Sequence, residues 1–219
     1  MKKRILSLAL SAAMALTMLP TGAFAASDKG KPPVYNKATG CYEISTPDQL
    51  LYLSGSWRDG APRDGHYVLT ADIDMTGVKG FKPIASKKDQ GFTGTFDGQF
   101  HAIKGLRVEY EKKYAGLFGY VGNQDDQAYI KDVALLDCYV TGQQNVGALA
   151  GVNYGTITGC VVTGEVKCLD LSNSHTAGGI CGKLKEGEGP IVGHVEDCYV
   201  NADVSAPYDA GGVAGIQDG

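Results

Sequence analysis

One six-residue phrase occurs four times in this chain, and nothing else in the sequence constrains the fold as strongly. The copies are Tyr114-Ala115-Gly116-Leu117-Phe118-Gly119, Val146-Gly147-Ala148-Leu149-Ala150-Gly151, Ala177-Gly178-Gly179-Ile180-Cys181-Gly182 and Ala210-Gly211-Gly212-Val213-Ala214-Gly215. Their closing glycines, Gly119, Gly151, Gly182 and Gly215, are 32, 31 and 33 residues apart. Each copy is an apolar residue, two small ones, an aliphatic, another apolar residue and Gly. The aliphatic column is Leu117, Leu149, Ile180 and Val213. Self-similarity at this period marks stacked supersecondary units that bury their apolar faces on one another.

A second phrase alternates with the first, in the form aliphatic-x-x-apolar-x-aliphatic. It gives Ile103/Leu106/Val108, Ile130/Val133/Leu135, Ile157/Cys160/Val162 and Val195/Cys198/Val200. The last two positions of each set have strand parity and share a face. Asp137-Cys138-Tyr139-Val140 also matches Asp197-Cys198-Tyr199-Val200, so two registers stand open for residues 130–140. Both phrases are short, rich in Val, Ile, Tyr and Thr, and interrupted by Gly. Each interior Gly would cost a helix ~1 kcal/mol relative to Ala, so three in six residues exclude helix for the third and fourth copies. The expected fold is all-β: a parallel β-solenoid of 31–33-residue repeats over residues 41–219, its aliphatic columns stacked at ~4.8 Å. Polar linkers such as Asn123 to Gln127 and Lys183 to His194 read as surface loops.

The N-terminal part differs, with residues 26–40 read as a flexible segment and 41–66 as a cap. Thr46-Pro47-Asp48-Gln49 combines an N-cap, Pro at N1 and the Gln of a capping box, followed by Leu50, Leu51 and Leu53. This predicts a short amphipathic helix over 47–54, placed to cover the open first coil. Alternation in Ala71-Asp72-Ile73-Asp74-Met75 predicts a half-buried strand, and Phe92 to Gly98 another that ends in an Asp-Gly turn.

The succession Tyr67 to Met75, Phe81-Lys82-Pro83-Ile84, Phe92 to Gly98, His101-Ala102-Ile103 and Ala115-Gly116-Leu117-Phe118-Gly119 resembles the opening of bacterial surface proteins that carry the GLUG motif. The later copies resemble the degenerate repeats that follow it. The resemblance covers residues 42–219. It implies a β-solenoid in an extracellular, adhesin-like protein, or repeats beside the catalytic domain of an immunoglobulin A-cleaving peptidase. It carries no catalytic residue across.

Residues 1–25 have the layout of an export signal: Lys2, Lys3 and Arg4, an apolar run from Ile5 to Leu19, and Ala23-Phe24-Ala25 before the expected cleavage. The run is shorter than the ~20 residues a spanning helix needs. Cleavage takes the net charge from −4 to −7, because three cations leave and no acid does. A mildly acidic chain without a Lys/Arg cluster is a poor partner for nucleic acid or anionic membrane. The six cysteines, Cys41, Cys138, Cys160, Cys168, Cys181 and Cys198, permit disulfides in an exported protein. Repeat position favours most of them as small packing residues, since Cys181 aligns with Phe118, Ala150 and Ala214.

Asp72, Asp74 and Asp97 are the best acidic constellation, candidates for Ca²⁺ ligation or a glycosidase pair. Period-2 acids are also what a solvated strand face looks like. The four histidines, His66, His101, His175 and His194, have no metal-ligand spacing, and no nucleophile or phosphate-loop motif occurs. No catalytic residue and no cofactor is therefore expected. Trp57, the single tryptophan, stands in a loop and could stack on a sugar or anchor a protein contact. Six tyrosines (Tyr110, Tyr114, Tyr120, Tyr139, Tyr154 and Tyr199) could line one face. Gly219 follows the fourth phrase closely, so a continuation into a longer repeat protein, or end-to-end association through an open last coil, is expected. The functional expectation is a non-catalytic secreted or surface module that binds an extracellular protein or glycan. The alternatives are a carbohydrate-active β-helix enzyme and the accessory region of a longer secreted peptidase.

Overall fold

In the computed structural model, which describes residues 30–55, 61–171, 175–185 and 191–218, chain direction is set by left-handed corners. Asp132, Gly159 and Asp197 each follow a short strand and have φ of 53°, 63° and 50°. Among side-chain-bearing residues Asp and Asn tolerate this region best, so Asp and Gly share the position. These three coils turn there from one sheet into the next, and the coil of Thr95–Asp97 turns instead through left-handed Gln99 and Phe100.

Chain order is β1 (Val34–Asn36), β2 (Cys41–Ile44), α1 (Pro47–Leu53), β3 (His66–Leu69), β4 (Ile73–Asp74), β5 (Thr95–Asp97), β6 (Ala102–Lys104), β7 (Arg107–Ala115) and β8 (Phe118–Val121). There follow β9 (Tyr129–Lys131), β10 (Ala134–Gly147), β11 (Ala150–Asn153), β12 (Thr156–Thr158), β13 (Val161–Cys168), β14 (Thr176–Gly178) and β15 (Cys181–Lys185). The last four are β16 (His194–Glu196), β17 (Tyr199–Ser205), β18 (Asp209–Gly211) and β19 (Ala214–Asp218). Three sheets result. The first runs β1-β2-β3-β5-β9-β12-β16; the second contains β17-β13-β10-β14-β18, with β6 and β7 against β10 and β4 against β6; the third runs β19-β15-β11-β8. Pairing is parallel except between β1 and β2. The protein is thus predominantly β, and each repeat lends one or more strands to every sheet.

The core is a set of rows running across the sheets. Phe96, Ile130, Ile157 and Val195 pair in the first sheet, and Ile103, Leu135, Val162 and Val200 in the second. Phe118, Ala150, Cys181 and Ala214 pair in the third. Leu117, Leu149 and Ile180 are fully buried, whereas Val213 is 44% exposed. The closing glycines are needed for close approach: a Cβ on Gly119 would stand 2.6 Å from the Ser86 Cα, and one on Gly151 2.6 Å from Tyr114 backbone. On Gly215 it would stand 2.6 Å from the Gly182 carbonyl, and on Gly182 it would meet Asn145 backbone.

At the N-terminal end α1 follows its capping motif. The Thr46 side chain accepts from the Gln49 amide, the Gln49 Oε1 accepts from the Ser45 amide at 2.8 Å, and Leu50, Leu51 and Leu53 are buried. Beside it the core is aromatic. Tyr42 stacks on Tyr67 at 5.1 Å, and Phe92, Phe96 and Phe118 continue the cluster. The Tyr67 hydroxyl donates to the Pro62 carbonyl at 2.7 Å, and burial raises its pKa above the ordinary tyrosine value.

Several sequence expectations need correction. The segment 26–40 includes an ordered strand, β1, antiparallel to β2. The strand expected over Ala71–Met75 is only Ile73–Asp74, because pairing with β6 stops there. The set Ile103/Leu106/Val108 does not align with Ile130/Val133/Leu135. Ile103 pairs Leu135 and Val108 pairs Val140, and the residue matching Ile130 is Phe96. The two registers for 130–140 are resolved as well: Leu135 pairs Val162, and a bulge before Cys138 then sets Cys138 opposite Gly164. The export signal of residues 1–25 and Trp57 lie outside the described residues.

Candidate ligand-contact site

Asp72, Asp74 and Asp97 do not converge. Asp72 Oδ1 accepts from the Ala102 amide at 2.9 Å and lies 3.1 Å from His101 Nδ1, tying β4 to the corner before β6. Asp74 Oδ1 accepts from the Thr76 amide at 2.9 Å in a local turn. Asp97, in the first sheet, accepts from the Gln99 amide at 2.9 Å and pairs with Lys131 Nζ at 2.8 Å. That bond is the main reason the Lys131 ammonium titrates above its ordinary value. Each carboxylate holds a turn or a neighbouring rung, and Asp74 and Asp97 belong to different sheets. Among the described residues no group of three or more His, Cys, Asp or Glu side chains could hold a metal ion.

The tyrosines also divide. Tyr114 and Tyr120 meet at 4.8 Å outside the third sheet, where Tyr120, Val152 and Tyr154 are buried and Ile191 packs against them. Burial, then a hydrogen bond to Tyr114, pushes the Tyr120 hydroxyl above the ordinary tyrosine range. Tyr139 lies on the second sheet under the Arg107 guanidinium, 4.2 Å from its ring centre. Tyr110 packs on the main core, and Tyr199 is exposed on the last rung. A single tyrosine face is not formed: Tyr120 belongs to the third sheet, and within the second Tyr110 packs on the core while Tyr139 and Tyr199 stand in different rows.

Tyr154 borders a cleft of about 250 Å³ that the sequence did not reveal. Its walls are Arg63, the turn at Lys88 and Asp89, and the loop from Asn123 to Asp126. The loop is fixed internally: Asn123 Oδ1 accepts from the amides of Asp125 and Asp126 at 2.7 and 2.8 Å, and its Nδ2 donates to Asp126 Oδ2 at 3.1 Å. Across from it Arg63 Nη1 donates to the Asp89 carbonyl at 3.2 Å. The site offers cations, carboxylates, an amide and an aromatic edge, a mixture suited to hydroxyl-rich or peptide ligands. A second cleft, about 480 Å³, lies between Lys31, Pro32 and Val34 and the start of α1. Residues 123–127 were legible as a loop. Nothing in the sequence indicated that Arg63 and Lys88 would face it, since register between coils brings them together.

No known protein-family profile matches the chain. It is 32% identical over 151 residues to Halomucin of Haloquadratum walsbyi, covering 64% of this chain and 2% of that protein. It is 33% identical over 101 residues to a provisionally named Gly-rich membrane protein of Evansella cellulosilytica, covering 42% of this chain and 11% of that one. Its fold is similar to a crystal structure from Bacteroides ovatus provisionally described as an immunoglobulin A1 protease. The TM-score is 0.67 at 26% identity, over 82% of this chain and 53% of that one. The chain therefore spans only part of each relative. Among the described residues no helix is long and apolar enough to cross a membrane.

Proposed function

We propose that this chain is a β-solenoid module of GLUG-type repeats, exported by its N-terminal segment, that acts at the cell surface or outside it as a non-catalytic, adhesin-like scaffold. One observation carries the reading: the inner repeats place their in-phase residues on rows of the core, and the variable chemistry is displayed in loops such as those around the Arg63–Asp126 cleft. Relatives named as Halomucin and as a membrane protein support a surface setting. The accessory-region alternative is favoured by the Bacteroides ovatus likeness, since this chain accounts for 53% of that longer one. The carbohydrate-active alternative is not favoured, because its three acids are engaged in separate structural bonds.

The test is a glycan array and an immobilised immunoglobulin A surface, each probed with the purified chain and with Arg63→Ala/Asp126→Ala. Saturable binding that the double variant weakens about tenfold or more, without new saccharide or immunoglobulin fragments, supports the scaffold. Fragments that appear with the wild type and vanish with Asp72→Asn would overturn it in favour of an enzyme.

A further inference from the structure

We propose that Cys160 and Cys198 form a disulfide that clamps the coil of residues 194–218 to the coil before it. Their position in the fold is the starting point. Val133, Cys160 and Cys198 occupy one corner on successive coils, each directly after a left-handed residue: Asp132, Gly159 and Asp197. The same hydrogen bond links each level to the next. The Val161 amide donates to the Val133 carbonyl at 2.9 Å, and the Tyr199 amide donates to the Cys160 carbonyl at 2.8 Å. Two cysteines in one such column stand a single rung apart, ~4.8 Å, inside the Cα separation of about 4.4–6.8 Å that a disulfide spans. The Cys160 thiol donates to the Thr158 carbonyl at 3.3 Å and the Cys198 thiol to the Ile157 carbonyl of the coil before it at 3.8 Å, so both sulfurs lie at the same corner.

The other cysteines have different rung neighbours. Cys138 pairs Gly164, Cys168 pairs Gly142, and Cys181 stands between Ala150 and Ala214. The two thiols of the column are also unlike each other. Cys198 is partly exposed, and the neighbouring Cys160 thiol holds it below the ordinary thiol value; Cys160 is fully buried, which raises it. This orders the chemistry. The Cys198 thiolate attacks one sulfur of a small-molecule disulfide, of the oxidised-glutathione class, and expels the first small thiolate, which takes up a proton. Cys160 then gives its proton to solvent, its sulfur attacks the Cys198 sulfur and the second small thiol leaves. Two protein thiols become one disulfide, and one small disulfide becomes two thiols.

In the coil of residues 194–218 Val200, Ala202 and Val204 are only half-buried, and Val213 is exposed. Closing the chain between 160 and 198 constrains the unfolded state of this least tightly packed of the described coils. The reading does not depend on which ligand the module binds.

The experiment uses the full chain, folded, incubated with oxidised glutathione, then unfolded in the presence of an alkylating reagent and mapped by peptide mass. The Cys160 and Cys198 peptides are expected to be linked, with the remaining four cysteines alkylated. The oxidised protein is expected to melt about 5 °C or more above the reduced one. Cys160→Val, which copies Val133, and Cys198→Ser are expected to fold and to melt at the same temperature with and without reductant. Alkylation of both residues after oxidation, or a link from either to Cys181, overturns the proposal. So does a melting temperature of the wild type that is indifferent to reductant.

Discussion

The third and fourth repeats carry nearly the same phrase yet live in different solvents. Ile180 lies between Leu149 and Val213 and is fully buried, while Val213 occupies the equivalent position and is 44% exposed. A Cβ at Gly179 would meet the Gly212 carbonyl and stand 2.5 Å from Val200 Cγ1; at Gly212 the same atom would find open space. The difference lies in neighbours, since β15 is paired on both sides and β19 forms the edge of its sheet. Nearly the same phrase therefore stabilises strongly when sandwiched and weakly at a sheet edge, as expected where stability is a sum of nearest-neighbour interfaces.

The aliphatic column offers the most direct way to break this comparison. Ile180→Ala is expected to cost about 3 kcal/mol through lost burial and the cavity left behind, and Val213→Ala less than about 1 kcal/mol. Urea unfolding of both variants measures this, and equal losses would show that the coil of residues 194–218 is as tightly packed as the inner ones. The glycines come next. Gly179→Ala is expected to destabilise by about 1–3 kcal/mol, because the methyl has no room. Gly212→Ala is expected to change stability by less than about 0.5 kcal/mol, or to raise it by restricting the unfolded chain. Thermal melts of the pair would sharpen the contrast.

The smallest effect concerns the corner acids. Burial, reinforced by nearby Asp97, raises the Asp132 pKa above its ordinary value. Its folded-state pKa therefore exceeds the unfolded one, so ionisation costs stability as pH rises through that folded value. Asp132→Asn, which keeps a residue tolerant of left-handed φ, is expected to raise the melting temperature by about 1–2 °C at neutral pH. The gain should disappear in acid, below the ordinary carboxylate range. Asp197→Asn, at the same corner of the coil of residues 194–218 but exposed, should leave the melt unchanged. A gain for Asp132→Asn that persists in acid would assign the effect to backbone conformation instead.

The phrases were legible because each serves one local demand repeated four times: small residues where backbones touch, aliphatics where the core lies. The capping helix was legible for a similar reason, since Thr46, Pro47 and Gln49 act within a single turn. The register near residue 137 was not. Asp137-Cys138-Tyr139-Val140 mimics Asp197-Cys198-Tyr199-Val200 because Asp137 and Asp197 both take left-handed φ, 51° and 50°, but at different corners. Local sequence reports that a turn occurs; it does not report which turn of the coil it is. The first coil misled for a related reason, since an aromatic, Phe96, fills a position that Ile130 and Ile157 hold later.

Taken alone, the sequence determined the β architecture, the repeat length, the helix at the N-terminal end and the identity of the residues that fill the core, because backbone propensity and burial are paid residue by residue. Tertiary structure decided what depends on which residues become neighbours between coils. It separated Asp72, Asp74 and Asp97 into distinct structural bonds, set Arg63 across from Asn123, and stacked Cys160 beneath Cys198. A one-residue bulge before Cys138 likewise sets Cys138 opposite Gly164, and such a shift leaves composition and periodicity unaltered.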